Sequence, residues 1–124
     1  MDLQNFADKI MPNDHAKFCR AIALTVLQGI VNKTPVRTGL ARGNWQVSGG
    51  TPPGGPITRL DPSGGAVISS GASAIQAIQP LKSVIWVSNS LPYIERLENG
   101  YSQQAPSGMV LLTLEEIKAK AAAL

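Results

Sequence analysis

A chain of 124 residues, 44% of them hydrophobic, is long enough for one domain with a real core and too short for two comfortable ones; disorder throughout is excluded. Its net charge of +3 comes from 11 basic and 8 acidic residues spread without a run from Lys9 to Lys120, unlike nucleic-acid binders that cluster their cations on one face. A single cysteine, Cys19, excludes an internal disulfide and a cysteine-based metal site within one chain, and fits synthesis in a reducing cytoplasm. The start, Met-Asp-Leu-Gln-Asn-Phe, lacks the pattern of a signal peptide. No run reaches the roughly 18 apolar residues of a membrane span. A soluble, unsecreted protein with no membrane partner is expected.

Residues 2–11 predict a short helix, with Asp2 as cap and Leu3, Phe6, Ala7 and Ile10 on one face. Pro12 interrupts it, and Asn13 or Asp14 offers a new cap. The strongest helix spans 14–32, where Phe18, Ala21, Ile22, Thr25, Val26, Gly29 and Ile30 repeat at three-four spacing. Asn32, Thr34 and Pro35 end it. Residues 33–44 then read as a loop carrying Arg37 and Arg42. Trp45 and Val47 alternate with polar neighbours, which predicts a half-buried strand over 43–49.

Residues 49–65 hold too many glycines and prolines for helix or strand, and predict a flexible loop ordered only by a partner. Residues 65–79 fit a modest amphipathic helix, with Asp61 or Ser63 near its start and Pro80 past its end; Gly71 counts against it. The run Ser-Val-Ile-Trp-Val-Ser-Asn over 83–89 predicts a strand with apolar side chains on both faces, covered by helices on both sides or by a helix on one and a partner on the other. Residues 109–122 predict a terminal helix with Val110, Leu114, Ile117 and Ala121 as its stripe, opened by Ser107 or Gly108. The expected fold is α+β in a single domain, 1–124: N-terminal helix, small antiparallel or mixed sheet, long Gly/Pro-rich loop, and mid-chain and C-terminal helices packed on the sheet. Two strands alone are marginal, so helical cover, a third strand from 92–104 or strands of neighbouring subunits must complete the sheet.

Catalytic and metal chemistry find little footing. His15 and Cys19 lie four apart on one helix, but a dyad needs a cleft and an orienting third group, so a buried cysteine and a surface histidine are favoured. No metal-ligand spacing and no phosphate-binding glycine motif is present. Glu95 and Glu98, three apart with Arg96 between them, read as a solvated face or an inter-subunit ion pair before they read as an acid–base pair. Trp86 is expected in the core. Tyr93 and Tyr101, set among polar residues, fit a core or an interface. No catalytic, metal or cofactor residue is assigned.

Two stretches carry a resemblance. Thr34-Pro-Val-Arg-Thr-Gly-Leu-Ala-Arg-Gly-Asn-Trp45 resembles the signature Thr-Pro-Val-x-Thr-Gly-x-x-x-x-x-Trp. Asn89-Ser-Leu-Pro-Tyr93, then Leu97-Glu-Asn-Gly100 and Ser102-Gln-Gln-Ala-Pro-Ser-Gly-Met-Val110, resembles Asn-x-x-Pro-Tyr…Leu-Glu-x-Gly-x-Ser-x-Gln-Ala-Pro-x-Gly-Met. Both occur in this order in the small tail-component (neck and tail-completion, or head–tail joining) proteins of long-tailed, lambda-like bacteriophages. The second motif is the more specific, and the resemblance spans residues 14–122. It implies a non-enzymatic virion protein, made in the host bacterial cytoplasm, that forms a homo-oligomeric ring (a hexamer) at the head–tail junction.

One face of that ring would meet the head–tail connector or stopper and the other the tail terminator or tail tube. DNA would pass through without sequence-specific binding. A tail-terminator ring capping the tube is the near alternative, and a small DNA-binding adaptor using the Arg37/Arg42 loop the distant one. The subunit or partner interface is expected to draw on Arg37, Arg42, Trp45, Tyr93, Glu95, Arg96, Glu98, Tyr101 and Gln104.

Overall fold

Helix α1 (Pro12–Lys33) packs against the two later long helices and against the strand at Ile85–Ser88. The computed structural model describes residues 12–100, 102–105 and 107–122. The helix expected over 2–11 and the residue Tyr101 lie outside them. The deepest side chains of α1 are Ala23, Leu27, Ile30 and Val31, at the i, i+4, i+7, i+8 spacing of one helical face. This stripe is rotated by about one residue from the expected one, and Ala21 is exposed. The helix is apolar over more than half its circumference because it meets partners on several sides. Periodicity alone therefore does not say which line is central.

After α1 comes a single helical turn, α2 (Leu40–Gly43), in place of the expected open loop. Strand β1 (Gln46–Gly49) consequently starts later than expected. It pairs antiparallel with β2 (Ile85–Ser88), Gln46 opposite Ser88 and Gly49 opposite Ile85. These two strands are the whole sheet among the described residues. Val47, Ile85 and Val87 pack toward the core. Trp86, expected inside, is paired with Ser48 and is 38% exposed. The sheet therefore has one face on the helices and turns Trp86 to the other face, which no helix covers among the described residues.

Helix α3 (Gly65–Ala77) is started by the two residues anticipated for it. The Asp61 carboxylate accepts the Val67 N–H at 2.8 Å and the Ser63 hydroxyl accepts the Gly65 N–H at 3.2 Å. Gly71, a defect by propensity, is where α3 crosses α1: a Cβ there would collide with Leu27. Val67 and Ile75 fill the layer beside it.

Among its described residues the stretch 92–104 adds no strand. It folds into a short helix, α4 (Ile94–Glu98), followed by a turn. In the terminal helix α5 (Val110–Ala122) Thr113 and Ile117 are buried, as is Met109 just before it; of the expected stripe Ile117 is inside, whereas Leu114 is 38% exposed. Lys33 of α1 and Glu116 of α5 form an ion pair at 2.9 Å, exposed enough to contribute little.

The 49–65 loop, expected to need a partner for its order, is tied down within the chain. Gln46, Ser48, Trp86 and Ser90 donate to the carbonyls of Gly55, Thr51, Gly50 and Gly54. Asn44, fully buried, accepts the Ile57 N–H at 2.8 Å. The Arg59 guanidinium donates to the Gly43 and Trp45 carbonyls, at 2.9 and 3.1 Å, and so caps the outer edge leading into β1. The loop thus packs as an extra layer on the outer side of the sheet.

This layer sits so close that a Cβ at Gly43 would strike the Arg59 carbonyl. Backbone on both sides leaves no flexible side chain to yield. Gly43→Ala is expected to destabilise the fold by about 1–3 kcal/mol, the range for overpacking, despite the helix propensity gained. A lowered urea midpoint at unchanged slope is the measurement.

Candidate functional site

The last carbonyls of a helix need donors from elsewhere. At the end of α1 they come from residues 33–45. The Thr34 hydroxyl donates to the Ile30 carbonyl at 2.7 Å and accepts the Trp45 indole N–H at 2.8 Å. Arg42 donates from Nε to the Thr34 carbonyl, from Nη2 to Asn32 and from Nη1 to Pro62, at 2.9, 3.1 and 2.8 Å. The first signature stretch is therefore a helix terminator that also holds the entry to α3.

The second stretch folds against the first. The Gln104 amide accepts the Val36 N–H at 2.8 Å and donates to the Val36 carbonyl at 3.0 Å. Asn89 reaches the Ala41 carbonyl at 2.9 Å and accepts the Leu91 N–H. The Glu98 carboxylate accepts three N–H groups at the start of α5: Met109 at 2.9, Val110 at 2.8 and Leu111 at 3.1 Å. Neither Ser107 nor Gly108 makes this cap. A side chain eleven residues upstream does, in the geometry that favours an anion at a helix N-terminus.

Where the two stretches meet, an open pocket of about 500 Å³ forms between α2, α4 and the turn at 102–104. Val36, Leu40 and Leu97 give it an apolar floor, and Arg37 and Tyr93 are polar groups in its walls. Arg37 is exposed, Tyr93 is 40% exposed, and neither side chain has a hydrogen-bond or ion-pair partner among the described residues. The described walls contain no carboxylate, imidazole or thiol. The arrangement offers an apolar recess beside a cation and a phenol.

The expected interface set thus divides. Arg37, Tyr93, Glu95 and Arg96 face outward. Trp45 does not: it is 4% exposed, a core residue whose indole is held by Thr34. Arg42 and Glu98 are taken up by backbone groups of their own chain. Gln104 is exposed, yet both ends of its amide are committed to Val36. Asn44 and Arg59 were not anticipated as organising residues, and nothing in the sequence around Asn44 signals its role.

His15 and Cys19 line one groove between α1 and residues 80–87, without a carboxylate among its described walls. Among the described residues no group of three or more His, Cys, Asp or Glu side chains comes together to hold a metal ion. No helix there is long and apolar enough to cross a membrane. Compared with protein-family models, curated proteins and solved structures, the chain finds no match.

The cap at α5 makes stability depend on pH. Burial works to raise the Glu98 pKa, but the N–H groups of Val110, Met109 and Leu111 outweigh it and hold the carboxyl below the ordinary glutamate value of 4.5. A folded-state pKa below the unfolded one gives stability that is fully present above the unfolded value and lost as pH falls through the folded one. Glu98→Gln should therefore cost about 1 kcal/mol near neutral pH, the usual worth of a cap. The gap between wild type and variant in denaturant midpoint should narrow as pH drops below 4.5.

Proposed function

We propose that this chain is a structural protein of the neck of a long-tailed bacteriophage, a ring subunit that completes the tail and joins it to the head connector while leaving a channel for DNA. The observation that carries the reading is the meeting of the two signature stretches at one open pocket whose outward groups, Arg37 and Tyr93, have no partner among the described residues. Glu95 and Arg96 are likewise exposed and do not belong to the pocket's walls. Two different patches on one subunit are what a ring requires, because its interface is heterologous. With Arg42 and Glu98 engaged internally, the complementary contact falls to Arg37 of one copy and Glu95 of the next.

The same division bears on the DNA-binding adaptor. A two-arginine grip on phosphate needs both guanidinium groups free, and Arg42 has three carbonyl partners. That leaves Arg37 as the one outward arginine of the loop. A terminator ring capping the tail tube uses the same kind of contact, and the assembly test below tells it apart by the partner required.

Charge reversal at Glu98 would remove the cap of α5 and confound folding with assembly, so the informative site is Arg37. Arg37→Glu is expected to keep the wild-type melting temperature and circular dichroism, yet to fail in ring formation on connector or tail tube and in head–tail joining by complementation. Like charges facing each other across an interface cost several kcal/mol. Adding Glu95→Arg to the same chain should restore joining. Normal infectious particles from Arg37→Glu alone would overturn the reading.

A further inference from the structure

The free edge of β2 has the form of a self-pairing strand. In the β1–β2 ladder Gly50 donates to the Val84 carbonyl at 2.8 Å, so Gly50 and Val84 are a hydrogen-bonded pair. Such pairs alternate along an antiparallel ladder, which makes Ser48–Trp86 and Gln46–Ser88 the next ones. The backbone N–H and C=O groups of Ile85 and Val87 therefore point away from β1, and neither residue has another partner among the described residues. On the opposite edge Arg59 caps the Gly43 and Trp45 carbonyls just before β1. The β2 edge has none of the usual protection: no proline, no charged residue within Ile85–Ser88 and no bulge.

Beside this edge runs an apolar groove of about 430 Å³, walled by Ile22, Ala23 and Val26 of α1 and by Val84, Ile85 and Val87. Val84 is 63% exposed, and on the outer face Trp86 is 38% exposed with its indole held to the Gly50 carbonyl. Edge and groove form one continuous surface that asks for an extended strand with apolar cover beneath it.

We infer that β2 pairs antiparallel with β2 of a second copy about a two-fold axis through Trp86, so that two copies share a four-stranded sheet, β1-β2-β2-β1. The register is self-complementary. Ile85 faces the second copy's Val87 and Val87 faces its Ile85, each pair exchanging N–H and C=O, which joins every outward backbone group of the strand. Trp86 then lies opposite the second copy's Trp86 at a non-hydrogen-bonded position, where cross-strand side chains approach most closely. A two-fold axis normal to the sheet keeps both α1 helices on the same side, so the groove of each copy closes on the groove of the other. The inference does not rest on the virion reading. A two-fold contact does not fit the repeating head-to-tail contact of a polar ring, so the pair is the form of the free protein and competes with any such ring.

The test is the mass of the purified full-length chain by light scattering across a wide concentration range, with amide exchange at Ile85 and Val87. The expected result is a concentration-dependent dimer in which these two amides are protected only when paired. Trp86→Lys, which sets two cations opposite each other at the axis, should remain a monomer with the wild-type circular dichroism. Val84→Lys, at an exposed position on the groove wall, serves as the second variant should Trp86→Lys fold poorly. Three results would overturn the inference: a wild type that stays monomeric at every concentration, folded lysine variants that dimerise as the wild type does, or protection of both amides in the monomer, which would mean the edge is covered from within the chain.

Discussion

The carbonyl groups at the end of α1 are the constraint on which the rest depends. A helix that ends inside a domain must hand those acceptors to donors, or bury them at a cost of about 1–3 kcal/mol each. Here Thr34, Arg42 and, through Thr34, Trp45 meet that need. In doing so they fix the path of residues 33–45 into β1 and, through the Pro62 carbonyl, set the entry of α3. The second signature stretch repeats the logic at the opposite kind of terminus. Glu98 supplies the acceptor that the first N–H groups of α5 lack. Both stretches that stand out in the sequence are thus, first, devices for ending and starting helices.

That double duty explains what was legible and what was not. The helices over 14–32, 65–79 and 109–122 and the strands near 43–49 and 83–89 could be read from periodicity, because each buries one face against a common core. The rotation of the buried stripe in α1 and the burial of Thr113 rather than Leu114 in α5 could not. Apolar residues cover more than one face of α1, and the start of α5 is placed by Glu98, a residue outside the helix. Trp86 was misplaced for a related reason: strand alternation states that successive side chains oppose each other, not which side holds the core. Gly71 counted against α3, although it is what allows α1 and α3 to approach.

Within the candidate site, the sequence did not separate the side chains engaged inside the chain from those that face solvent. Arg37 and Arg42 are indistinguishable by composition, yet one guanidinium is saturated by carbonyls and the other faces solvent. Glu95 and Glu98 divide in the same way. Which member of each pair is free depends on contacts between residues far apart in the chain. The two motifs therefore mix residues engaged inside the chain with residues that face solvent. Trp45 and Gln104 belong to the engaged ones.

The layer formed by residues 50–63 holds on chiefly through main-chain atoms: the carbonyls of Gly50, Thr51, Gly54 and Gly55 and the N–H groups of Ile57 and Asp61. The side chains that grip it belong largely to the strands and their flanks. Such an attachment constrains the course of the loop while leaving most of its own residue identities unconstrained. Sequence can drift at Pro52, Pro53 and Pro56 without loss of a bond, whereas Asn44, Gln46 and Ser90 are held in place. The segment is thereby a natural point for divergence, able to acquire new surface chemistry on a fixed backbone.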